Sequence, residues 1–127
     1  MLLRMSFKLL LPAFCLLAFA PSYAQEKPPT VSVKELLSHA THQVKADYPP
    51  MARAAHVTGD VVVGVALDET GKILQTFIIG GPAMLQQASI DAAKQWTFSP
   101  VEVGGKPSAV VSGIVFKFHN AYAYHSD

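Results

Sequence analysis

Val61, Val63, Val65 and Leu67 alternate with Asp60, Val62, Gly64 and Ala66. A period of two predicts a strand with one buried face. Asp68-Glu69-Thr70-Gly71 follows as a hairpin turn, in which Asp opens the turn and Gly accepts the left-handed backbone. Residues 72–79 read as the return strand; both of its faces carry apolar side chains, so the pattern leaves its register open. Gly80-Gly81-Pro82 then breaks the chain, with proline near a helix start. Leu85, Ala88, Ala92 and Trp96 recur at helical spacing, Ile90 and Ala93 widen the stripe, and Gln86, Gln87, Asp91, Lys94 and Gln95 cover the wet side. This predicts the main helix over residues 83–95. Residues 98–108, with Pro100, Gly104-Gly105 and Pro107, read as a loop. Residues 109–118 read as a last strand with Val110, Ile114, Phe116 and Phe118 on one face.

The N-terminal half is less regular. Ser32-x-x-Glu35 is a capping-box pattern, and Val33, Leu36, Leu37, Ala40 and Val44 follow at helical spacing. They predict a helix over residues 33–45 whose opposite face carries Glu35, His39 and His42. Pro49-Pro50 ends it, because the residue before a proline disfavours helical geometry. Pro50 can open a second short helix over residues 50–56, closed by Gly59. Residues 25–30 read as a flexible lead and residues 119–127 as a frayed tail. The order strand, strand, helix, strand gives an α+β fold: a hairpin and a final strand packed on one main helix, with short N-terminal helices.

The first 24 residues stand apart. Arg4 and Lys8 precede an apolar run from Leu9 to Ala20, and Pro21-Ser22-Tyr23-Ala24 offers a small-x-small cleavage site. That is the pattern of a secretory signal peptide. A spanning helix needs roughly 20 apolar residues, so an uncleaved inner-membrane anchor facing the periplasm is the second reading. Cleavage after Ala24 would remove 24 of the 127 residues, leave 103, and take away Cys15, the single cysteine, so no disulfide framework is expected. It would also remove Arg4 and Lys8, turning the net charge of +1 into −1. Neither value suits a nucleic-acid binder, which shows a basic face.

Catalytic motifs do not emerge. The exported part has no cysteine nucleophile, no Gly-x-Ser-x-Gly elbow and no His-Glu-x-x-His pair. Gly80-Gly81 lacks the spacing of a dinucleotide loop. His39 and His42, three apart on the predicted helix, raise a metal hypothesis. Two ligands fall short of the four that a structural zinc site takes, so no metal and no cofactor is expected.

Tyr48-Pro49-Pro50-Met51-Ala52-Arg53, Gly59-Asp60-Val61, the Asp68 to Gly71 turn, Trp96-Thr97-Phe98-Ser99-Pro100 and Gly105-Lys106-Pro107 stand in a characteristic order. In that order and spacing, over about residues 48–118, the chain resembles the C-terminal domain of the TonB family. The resemblance implies a non-enzymatic periplasmic module that captures the TonB box, a short extended segment of an outer-membrane transporter, in TonB-dependent transport. Capture is by β-strand addition, in which the unpaired main-chain groups of an exposed edge supply affinity. The domain would occupy residues 47–118, after a lead over residues 25–46. The six residues from Gln25 to Thr30 reach about 20 Å even as extended Pro-rich chain, too short to cross the periplasm. The resemblance therefore implies a stand-alone exported member and puts coupling to inner-membrane motor proteins in question.

Carried onto this chain, the partner-binding candidates are Tyr48, Pro49, Arg53, Ala109, Val111, Gly113, Val115 and Lys117. Three of them have a plainer reading. Tyr48 can cover the sheet end, Arg53 can be a helix-end surface cation, and Lys117 can guard the edge against aggregation. Trp96 and Phe98 read as core. Two other functions stay open: an envelope-associated role through peptidoglycan contact or an edge-strand homodimer, and a small-molecule or metal carrier using the five histidines.

Overall fold

The computed structural model describes residues 27–119; the signal-peptide reading and residues 120–127 of the tail lie outside the described residues. The elements run α1 (Val33–Ser38), β1 (Ala40–His42), α2 (Pro50–Ala54), β2 (Gly59–Leu67), β3 (Ile73–Gly80), α3 (Ala83–Ala93), β4 (Thr97–Phe98), β5 (Glu102–Val103), β6 (Lys106–Pro107) and β7 (Val110–Phe118). This is the expected α+β order with three additions: β1 pairs with β4, β5 pairs with β6, and residue 30 bridges to β7.

The central sheet is antiparallel with order β3-β2-β7. The period-two pattern of β2 is realised: Val61, Val63, Val65 and Leu67 are buried. Their face meets α3 through Leu85, Ala92 and Ala93, and Ile114, Phe116 and Phe118 of β7 join the same core. The register of β3 sets Phe77 opposite Gly64, with irregularities near each end. Gly64 has no side chain because the Phe77 ring lies on it: an added Cβ would stand 2.2 Å from a ring carbon. Gly81, at φ +127°, lets the chain cross β2 so closely that a Cβ would lie 2.7 Å from Asp60 O.

α1 starts as expected. Ser32 is its N-cap, and the hydroxyl accepts the Glu35 N–H at 3.1 Å. It ends at Ser38 rather than near residue 45, which corrects the single long helix. Leu36, Ala40 and Val44 are four apart, a spacing that a period of two also satisfies. From Ala40 the chain takes the strand option, pairing with β4, and Ser99 N–H donates to His39 O at 2.8 Å. His39 and His42 therefore do not share a helix face; His39 caps α1 and His42 lies in β1. At the end of α2, His56 at φ +55° makes the reversal expected of Gly59, which instead opens β2.

The lead is also more ordered than expected. Leu36 is fully buried in the common core, and α1 packs on β7. We expect Leu36→Ala to cost about 2–4 kcal/mol in urea unfolding. A change below about 0.5 kcal/mol, the range of neutral surface substitutions, would mean that α1 unfolds independently of the sheet.

The β2–β3 turn predicts an acid response. The Thr70 hydroxyl, then the Lys72 N–H, donate to the Asp68 carboxylate and hold its pKa below the ordinary value. A carboxyl whose pKa is lowered by folding contributes stability that is present above its unfolded pKa of about 4 and is lost as pH falls through the lower folded value. Comparing Asp68→Ala with the parent by thermal unfolding from pH 7 to 2, we expect their gap to narrow only in that acid window. A gap independent of pH would refute the assignment.

Candidate partner-binding edge

β7 lies at one margin of the sheet, so only half of its backbone groups meet β2. In an antiparallel ladder, alternate residues turn their N–H and C=O to opposite sides. Val111 identifies the outward set: its N–H donates to Pro29 O, and its C=O accepts the Val31 N–H, both at 3.0 Å. By the same alternation Gly113, Val115 and Lys117 face outward. Among the described residues these three make no backbone hydrogen bond on that side.

A groove of about 710 Å³ runs along this open stretch. One wall is Leu37 with residues 43–46; the other is residues 115–118, and Trp96 joins the lining. The Trp96 indole N–H donates to Val44 O at 2.8 Å, which fixes the 43–46 segment in place. The indole also stacks at 80° to Phe116, centroids 5.9 Å apart. Lys45 and Lys117 are the charged side chains of the lining among the described residues, so the groove favours negative charge.

The eight sequence candidates divide. Val115 and Lys117 line the groove and are exposed. Gly113 is buried, its outer face covered by Val62 and Ile79. Val111 already has an intrachain partner, and Ala109 precedes β7 at the end away from the groove. Tyr48 meets the groove indirectly: its ring stands edge-on to Phe118 at 5.3 Å, and its hydroxyl donates to Val57 O. Pro49 caps α2, and the Arg53 guanidinium lies 5.5 Å from the Tyr48 ring centroid, a cation–π distance. Sequence reasoning missed the 43–46 wall, having placed residues 43–45, Lys45 among them, in a helix. The even spacing of Ala40, His42 and Val44 was the available signal for extended chain.

His39 Nδ1 lies 3.2 Å from Ser99 Oγ, a clasp between the end of α1 and the chain after β4. Among the described residues no three His, Cys, Asp or Glu side chains gather as a metal site.

The family model described as Gram-negative bacterial TonB protein C-terminal matches residues 44–119, more than half of the chain. The chain belongs to the TonB C-terminal family. Protein TonB of Vibrio cholerae serotype O1 (strain ATCC 39315 / El Tor Inaba N16961) is 35% identical over 69 residues, 53% of this chain and 28% of that protein. The chain thus spans less than a third of the length of this relative. The solution NMR structure of Pseudomonas aeruginosa TonB CTD superposes with a TM-score of 0.50 at 26% identity, covering 62% of this chain and 82% of that one. The TonB C-terminal match takes in β2 through β7 and both groove walls except Leu37 and Gln43. It leaves out residues 29–31 and α1.

The Tyr48 contacts make a prediction. Tyr48→Phe keeps the ring on Phe118 and loses one hydrogen bond, so we expect a loss of about 1 kcal/mol in denaturant unfolding. Tyr48→Ala should cost roughly 3 kcal/mol or more. Equal losses would show that the ring packing contributes nothing.

Proposed function

We propose that this chain is a non-enzymatic periplasmic module that captures an extended segment of an outer-membrane transporter by adding it as a strand to β7. The observation that carries this reading is the unpaired edge at Val115 and Lys117 beside an open groove. Strand addition needs this combination: free main-chain donors and acceptors, and room for a fourth strand. Membership of the TonB C-terminal family supports the choice of partner, the TonB box of a transporter in TonB-dependent transport. Leu37, Val44 and Val115 suit alternate apolar side chains on the guest, while Lys45 and Lys117 suit a carboxylate.

The test is a titration of isotope-labelled protein with ten-residue peptides from the N-terminal segments of transporters of the same organism, followed by NMR. We expect saturable shifts at Val115, Lys117 and residues 43–46. Lys45→Glu with Lys117→Glu should weaken binding about tenfold, two exposed charge pairs of up to ~1 kcal/mol each being lost. Absence of shifts at millimolar peptide would refute capture. Concentration-dependent dimers formed without peptide, through the same edge, would then favour the self-associating reading.

A further inference from the structure

The edge of β7 is already partly used by the chain itself. Thr30 bridges to Val111 in parallel orientation, with main-chain bonds from residues 29 and 31. The Ser112 hydroxyl, itself buried, donates to Val31 O at 2.9 Å and secures this short strand from the side. The chain then leaves the edge through the Ser32 cap into α1, and the groove opens further along, at residues 115–118. We propose that residues 29–31 are a fixed end-stop on the β7 edge, which sets the register of a captured strand by confining it to the stretch that carries Val115 and Lys117. The inference rests on the strand-capture reading and adds to it the element that decides where the guest ends.

Two arrangements compete: the guest shares the edge with the lead, or it peels the lead away. The packing favours sharing. Immediately after the bridge's last bond, at Val31, Ser32 Oγ accepts the Glu35 N–H, and next to Glu35 the Leu36 side chain is fully buried. Peeling would loosen this anchor and leave the buried Ser112 hydroxyl without its acceptor, a costly state for a polar group. Sharing disturbs nothing. The stop also limits the main-chain ladder: one residue in two faces outward, so the open stretch along the groove offers Val115 and Lys117 to the guest, and a longer transporter segment must leave the sheet before it reaches Val31.

The experiment is amide hydrogen exchange by NMR on the whole protein, with and without saturating amounts of the transporter peptides. Sharing predicts new protection at Val115 and Lys117 while the Val31 and Val111 amides keep the protection they had. A variant lacking residues 27–31 should bind the same peptide with its footprint extended to Val111. Loss of protection at Val31 and Val111 on binding would overturn the end-stop in favour of displacement. An unchanged footprint in the deletion variant would overturn its control of register, even with the capture reading intact. If no peptide protects any β7 amide in either protein, the capture reading fails first, and the end-stop falls with it.

Discussion

An edge strand leaves half of its main-chain donors and acceptors without a partner, and the arrangement around β7 follows from where those groups go. β2 takes one set. The outward set is divided between the chain's own lead at Val111 and open space at Val115 and Lys117. A free edge is a hazard, because any extended chain can pair with it. Here the hazard is narrowed: the lead closes one end, α1 packs on the strand, Lys117 places a charge near the other end, and the 43–46 segment forms a wall. What stays open is short.

The outer face of the same sheet is handled differently. Phe77 lies across Gly64, while Val62 and Ile79 reach over Gly113, so two facing glycines in the middle of the sheet are roofed by neighbouring side chains. That lets a three-stranded sheet show a polar-poor face to solvent without gaps. The inner face has α3, whose small Ala92 and Ala93 allow close approach to the β2 valines.

Most of the central sheet was legible from the chain. The β2 alternation, the Asp68 turn, the α3 stripe and the buried face of β7 each carried one period and one set of punctuating residues, and each formed as read. The N-terminal segment was not legible because its apolar residues four apart fit both a helix and a strand; the choice was made by a distant partner, Thr97–Phe98, that no local pattern reveals. The small β5–β6 hairpin was hidden in an apparent loop, although Gly104-Gly105, both with positive φ, is a favoured hairpin turn. The candidate edge was found through family resemblance. Its division between lead and groove depends on a contact between residues 30 and 111, far apart in sequence and supported by only two main-chain bonds.

The position of Trp96 has a practical side. It is the one tryptophan in the chain, it lines the groove, and its N–H is tied to the 43–46 wall. Its emission therefore comes from the place of interest, with no second indole to dilute it. The protein carries its own optical reporter of the groove's surroundings, readable at micromolar concentration without a label.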